Sequence, residues 1–285
     1  MSTNISDKPE VIEEDHKISF IIVALVTFIF LMPFTSFFTV FKIEDLYILF
    51  LSYFIRMFAI TAGYHRYFSH TTFKTSRIFQ FFLAATASTT LQGGPLWWST
   101  KHRHHHAKSD LAEDYHSPVQ HGFWHSHMLW FMYKKNLNIK MDSVMVKFNK
   151  FPEIRFIEKY WAFVTLLMIA ILYFFGGWNW VIWGFCVPAV LLNHATYTVN
   201  SLVHIFGYRR YETSDNSKNN WFVAIITLGE GWHNNHHKFS NCTRQGFAWY
   251  EFDITYYILK LLSYLRIVWD IKPVPERVLK EGNIS

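Results

Sequence analysis

The sequence predicts an all-α integral membrane protein with four transmembrane helices beneath a cytoplasmic helical cap, the cap carrying a histidine-rich metal centre. Three observations predict it: four long apolar runs, an uneven spread of Lys and Arg, and histidine clusters in the polar stretches between and after those runs. About half of the 285 residues are hydrophobic and a fifth are aromatic. One core could use much of that surface, but runs of this length direct much of it to lipid.

The first run, "ISFIIVALVTFIFLMPFTSFFTVF" (18–41), carries no charge. At ~1.5 Å per residue it is long enough for a hydrocarbon layer of ~30 Å. It follows a polar, acidic stretch without a small-residue cleavage pattern, so it reads as a retained span and not a signal peptide. The second, 45–63, contains Arg56, which should face protein and not lipid. The third and fourth, 160–176 and 178–199, are separated only by Gly176, Gly177 and their neighbours, as in a tight membrane hairpin. The short connections near 42–45 and 176–178 hold almost no Lys or Arg, whereas 64–159 and 200–285 hold most of them. The positive-inside rule then puts the long segments, and the N-terminus, in the cytoplasm. The net charge of +6 follows from this topology; no basic stripe or recognition motif points to nucleic acid.

Residues 78–94 form a fifth apolar stretch interrupted by Gln80, Ser88, Thr89, Thr90 and Gln92. Histidine clusters flank it on both sides, and a crossing would part them. It is therefore expected to lie in the interface or cap without spanning. Residues 1–17 read as a flexible leader, 18–272 as the single domain, a last helix falls near 253–268, and 273–285 reads as a C-terminal tail. Two cysteines, Cys186 and Cys242, exclude a thiolate metal site by count.

The histidines carry the chemistry. His65 and His70 stand in "HRYFSH"; His102, His104, His105 and His106 in "HRHHH"; His233, His236 and His237 in "GEGWHNNHH"; Asn200 and His204 in "NSLVH". At ~100° per residue, i, i+3 and i+4 share a helix face. That groups His102, His105 and His106 and leaves out His104. It also groups His233, His236 and His237 and turns Asn234 and Asn235 outward. His65 and His70, five apart, share no helical face unless the helix ends or bends there. Nine histidines exceed what one metal can take, whereas two irons of up to about six ligands each could use them and keep open positions. Imidazole suits Fe, Zn, Cu and Ni alike, so spacing does not choose the metal. A polar cluster at the mouth of a lipid-facing bundle favours chemistry on something dissolved in the bilayer. Asp110, Glu113, Asp114 and Glu230 are placed to orient the ring nitrogens that bind no metal. His194 reads as a satisfied intramembrane polar group.

These motifs resemble the membrane fatty acid desaturases, specifically the acyl-CoA (stearoyl-CoA type) delta-9 group: HRYFSH matches HxxxxH, HRHHH matches HRxHH, GEGWHNNHH ends in HxxHH, and NSLVH resembles the Asn-x-x-x-His element. The resemblance covers about 18–272 and is to a compact bacterial-type member without the cytochrome b5 domain, which implies the bacterial inner membrane. It implies a di-iron oxidoreductase, an acyl-CoA desaturase, that uses O₂ to introduce a cis double bond into a saturated acyl chain. The implied metal ligands are His65, His70, His102, His105, His106, His204, His233, His236 and His237, with Asn200 reaching one iron through a water. No catalytic side chain beyond the ligands is implied. Trp98 and Thr196 occupy the positions that bend the family's acyl tunnel. The electron donor would be external, cytochrome b5-like or ferredoxin-like. The nearest alternative is a di-iron fatty acyl or alkane hydroxylase. A zinc hydrolase lacks its HExxH here, and a transporter should carry polar residues through its spans and not gather them at one end.

Overall fold

The computed structural model describes residues 17–138 and 140–282. Of the expected leader only Lys17 falls among them, and the last three residues of the expected tail fall outside. The described chain is helical: α1 Phe20–Leu31, α2 Ile43–Phe58, α3 Arg77–Ser88, α4 Pro95–Lys108, α5 Pro118–His121, α6 Ser143–Phe148, α7 Pro152–Val181, α8 Val187–Ser201, α9 Trp221–Ile226, α10 His233–Lys238, α11 Ile254–Tyr264 and α12 Glu276–Gly282. Two short strands, β1 Lys74–Thr75 and β2 Val268–Trp269, pair antiparallel.

Three helical runs are long and apolar enough to cross a membrane: Phe20–Phe38, Ile43–Ser69 and Pro152–His204. The first starts at Ser19, whose hydroxyl accepts from Ile22 N. It tightens into a 3₁₀ segment, Met32–Phe38, around Pro33, which has no N–H to continue the α ladder. None of the α1 residues is buried. The second run is α2 continued by a π-helical segment, Ala59–Ser69, in which every residue is buried. Arg56 faces protein as expected: it is 1% exposed, donates to Thr89 O at 2.5 Å and lies over the Phe185 ring.

The third run is broken at Gly177, where φ is 61° and ψ −157°. Residues with a Cβ rarely adopt that conformation. Beyond it Val181, Phe185 and Cys186 pack back against Met168, Ile169 and Leu172. Expected runs 160–176 and 178–199 are therefore two arms of one folded-back helical run, which begins earlier, at Pro152, and continues to His204. The interrupted stretch 78–94 forms α3, whose 12 residues extend only ~18 Å, short of a ~30 Å hydrocarbon core. Its buried face (Gln80, Leu83, Ala84, Ala87, Ser88) lies on the π segment, where Gly63 admits Leu83 closely.

Tyr64, Phe68, Leu83, Leu96, Met145, Ile154, Ile157 and Leu259 form the main core. It ties the π segment to α3, α4, α6, α7 and α11, and so fixes the ends that carry the histidines. The C-terminal region departs from expectation. The helix expected near 253–268 stops at Tyr264, and the chain then pairs with β1. The expected tail docks as well: Val274 and Val278 are buried with Cys242 and Phe247. Pro273 and Pro275 suggest an unstructured end, yet the valines between and after them supply an apolar anchor.

Candidate metal centre

Four chain segments bring nine imidazoles into two adjacent groups. His65, His70, His102, His106 and His236 form one; His105, His204, His233 and His237 form the other. Within each, the candidate ligand atoms all lie within 4.8 Å of one another.

The π segment explains HRYFSH. Its backbone bonds run from residue i+5 to i, as His70 N to His65 O at 3.2 Å does. Residues five apart then stack on one face. The helix does end there, as expected: the π segment closes at Ser69 with His70 as its cap, its last turns widened. In α4 the three histidines lie on one arc, but that arc straddles the two groups: His102 and His106 enter the first, His105 the second. α10 divides likewise, His236 from His233 and His237. His104 belongs to neither group, and its Nε2 instead meets Glu113 O at 2.9 Å.

Inside the first group the Nε2 atoms of His65 and His236 are 3.0 Å apart, those of His70 and His102 2.8 Å, and those of His106 and His236 2.9 Å. In the second, His204 Nε2 and His233 Nε2 are 3.1 Å apart. Two nitrogens at a right angle around an ion ~2.1 Å from each sit about 3.0 Å apart, against about 3.4 Å for a tetrahedral pair. The spacing thus fits a high-coordinate ion better than a four-coordinate one. Hydrogen bonding alone fits poorly, since the single Nε2 of His236 faces two other ring nitrogens. His236 Nδ1 and His237 Nε2 are buried without a hydrogen-bond partner among the described residues.

Carboxylates fix the tautomers. His65 Nδ1–H donates to Glu230 at 2.5 Å, His105 Nδ1–H to Asp114 at 2.9 Å, His204 Nδ1–H to Asp110 at 3.1 Å and His237 Nδ1–H to Asp215 at 2.5 Å. Each leaves its Nε2 lone pair turned into the group. Glu230 is held in turn by Arg66, which also pairs with Asp253. Burial pushes the Glu230 carboxyl up, but His65 and Arg66 outweigh it and hold it down at about 2. Asp110, Asp114 and Asp215 are held well below the ordinary range against their burial, each by its histidine. Burial, reinforced by neighbouring imidazoles, pushes His70, His102, His106, His233 and His236 well down, so they stay neutral. Neutral imidazoles present lone pairs to a cation.

Of the acids expected to orient the rings, Asp110, Asp114 and Glu230 do so. Glu113 does not: it pairs with exposed Lys108. Asp215 fills the fourth place, with no sequence pattern tying it to His237. Asn234 and Asn235 point away from the histidine groups but not into solvent. They are fully buried, in a network with Asn219, Arg210, Tyr211 and Glu251. His194 bonds His127 at 3.0 Å, and His127 bonds Ser201.

Beside the histidines lies a cavity of about 660 Å³ lined by His65, His102, His105 and His233 from both groups, and by Trp98 and Thr196. Trp98 stacks on His102, ring centroids 5.2 Å apart. Gln92 links the pair: Trp98 Nε1–H donates to its Oε1 at 3.1 Å, and its Nε2–H donates to Thr196 Oγ1 at 2.8 Å. Only its place among the polar interruptions of an apolar stretch marks Gln92 in the sequence. Asn200, one turn before His204, also lines the cavity, and its side chain bonds no described residue.

The chain's similarities agree with this geometry. The family profile described as "Fatty acid desaturase" matches residues 46–267. An acyl-CoA 5-desaturase of Anemone leveillei is 40% identical over 229 residues, 79% of this chain and 70% of that one. An sn-1 stearoyl-lipid 9-desaturase of Anabaena variabilis is 38% identical over 213 residues, 75% of this chain and 78% of the other. A delta-9 acyl-lipid desaturase of Arabidopsis thaliana is 37% identical over 229 residues, 80% and 74% of the two chains.

Proposed function

The chain belongs to the fatty acid desaturase family and is thereby an oxidoreductase of lipid metabolism; on that premise we propose that it is an O₂-dependent di-iron enzyme placing a cis double bond, at delta-9, in a saturated acyl chain. In this reading His65, His70, His102, His106 and His236 hold one iron. His105, His204, His233 and His237 hold the other, with Asn200 reaching it through a water. The irons supply the oxidising power that an unactivated methylene requires, fed by two electrons from an external cytochrome b5-like or ferredoxin-like donor.

The chain's own contribution is position. The carboxylates at Nδ1 fix the direction of four rings. The Trp98–Gln92–Thr196 bridge sets a rigid wall beside His102, against which an acyl chain must bend. A methylene offers no polar handle, so the depth and bend of the cavity choose the carbon attacked. The relatives named above carry their acyl chains on CoA and on lipid, so likeness alone assigns the chain and not its carrier.

The same reading takes 18–272 as one domain in the bacterial inner membrane. It crosses four times, with Gly177 turning between the last two crossings and the metal centre in the cytoplasm. The basic residues of 64–159 and 200–285 support that orientation.

One observation carries the proposal: both histidine groups open onto the same apolar cavity. The test is reconstitution with ferrous iron, a reduced donor and a saturated acyl substrate, with and without O₂, followed by mass spectrometry of the product. A cis alkene formed only with O₂ is expected. A hydroxy acid without alkene would replace the reading by a hydroxylase, and turnover without O₂ would end it.

A further inference from the structure

The wall of the cavity is incomplete on one side. α1 contributes Ile22, Leu25, Val26, Phe28 and Ile29 to the lining, and Met32 of the following 3₁₀ segment adds to it, yet α1 buries none of its residues. The run is attached near its two ends. At the cap end Ser19 N donates to Met132 O and Lys134 N to Lys17 O, an isolated bridge pairing Ile18 with Tyr133. Further down, Phe30 meets His194 of α8, ring centroids 5.0 Å apart, and Met32 packs on the Val181–Cys186 cluster. The arm of α7 before Gly177 also lines the cavity, with Ala162, Thr165 and Leu166. Leu25 is 48% exposed, Phe28 64% and Leu166 62%, and Ala162 is exposed too. Residues that line a cavity and are also exposed mark an opening. This one lies in the middle of the apolar run Phe20–Phe38, where the surroundings are hydrocarbon.

The cation inventory agrees. Lys101 is the one Lys or Arg lining the cavity among the described residues. It is 4% exposed, donating to Asn138 O and lying over the Tyr115 ring. A carrier with several phosphates would call for more cations at its entry. An uncharged ester linkage would not.

We propose that the acyl substrate enters sideways from the bilayer, between Leu25 and Phe28 of α1 and Ala162 and Leu166 of α7, as the chain of a glycerolipid and not of acyl-CoA. The inference rests on the desaturase reading and departs from the acyl-CoA expectation. A glycerolipid keeps its headgroup at the interface while one chain slips through the gap toward the histidines, and no charge crosses the hydrocarbon.

The experiment reads entry without chemistry. The full-length iron-loaded protein is placed in palmitoyl-oleoyl phosphatidylcholine nanodiscs. These are doped with phosphatidylcholine whose sn-1 stearoyl chain carries a diazirine. Stearoyl-CoA with the same diazirine is the comparator. After illumination, labelled residues are mapped by mass spectrometry. Inward Thr165 is 3% exposed, and outward Phe163, 58% exposed and away from the cavity, counts the surrounding lipid. The phosphatidylcholine probe is expected to label both. The double variant Leu25→Trp, Leu166→Trp should lose the Thr165 label and keep that on Phe163. The widened variant Leu25→Ala, Leu166→Ala should gain it, which covers the case in which the bulky variant fails to fold. Thr165 labelled by the CoA probe alone, or by the lipid probe equally in all three proteins, would overturn the proposal. Desaturation of either probe is scored separately: absence of any alkene counts against the desaturase reading, not against the route.

Discussion

Asp215→Asn tests the metal centre through a residue that binds no metal itself. Oδ1 of Asp215 accepts from Ser217 N at 3.0 Å, Ser217 Oγ at 2.5 Å and Thr213 Oγ1 at 2.9 Å, while Oδ2 accepts from His237 Nδ1 at 2.5 Å. An asparagine of the same shape keeps the first set through its carbonyl oxygen. It then faces His237 with an NH₂ in place of a carboxylate oxygen. Two donors now meet, or the imidazole shifts its proton to Nε2 and loses the lone pair turned into the group. Losing an outer partner of this kind lowers metal affinity by about 10–100-fold, or about 1.4–2.7 kcal/mol. The loss should fall on one site, because Asp215 touches the second group alone. Competition of graded iron chelators against the purified protein reads both sites. One is expected to weaken by that factor and the other to hold, with Glu113→Gln, whose carboxylate pairs with exposed Lys108, unchanged. Two unaltered sites, or two weakened equally, would refute the assignment of Asp215 and the division into two groups.

Three further outcomes follow from the same coordinates. His236→Ala removes the ring whose Nε2 faces both His65 and His106 and should abolish alkene formation in cells lacking unsaturated fatty acids. His104→Ala, by contrast, should retain most of it. Gln92→Leu takes the shared partner from Trp98 and Thr196. It should leave iron content intact and broaden the positions of the double bond in the product profile, at a cost of about 1–3 kcal/mol in thermal stability. Gly177→Val places a β-branched residue at φ 61°, ψ −157°. It should destabilise the folded-back run by about 1–3 kcal/mol, read as a lowered unfolding midpoint in detergent.

The gathering of the histidines was legible because short-range patterns carry it. HxxHH in α10 and the spacing in α4 place rings on one face by helical geometry alone, and the same arithmetic removed His104. The division into two groups was not legible, since it depends on how α4 and α10 face each other across the π segment and α8. HRYFSH pointed to an interruption, but nothing in "AITAGYHRYFS" distinguishes a π ladder from a bend. Asp215 escaped because its contact with His237 spans 22 residues, and no periodicity links them. Asn234 and Asn235 were turned the right way, but their burial was not legible: a single helix shows which side a residue occupies, not whether a loop such as 209–219 covers that side. The same limit hid the docking of Val274 and Val278, which needed the Cys242–Phe247 surface to be seen. The glycine pair 176–177 did mark the reversal, because the backbone there needs what only glycine provides freely.

The account depends most directly on two separate metal ions held by nine imidazoles. Elemental analysis of active protein from iron-supplied cells, normalised to chain concentration by amino-acid analysis, tests that without reference to substrate. The account predicts two irons per chain, with one lost from Asp215→Asn under a chelator that the wild-type protein resists. Active protein with one metal per chain, or with zinc in place of iron, would contradict it.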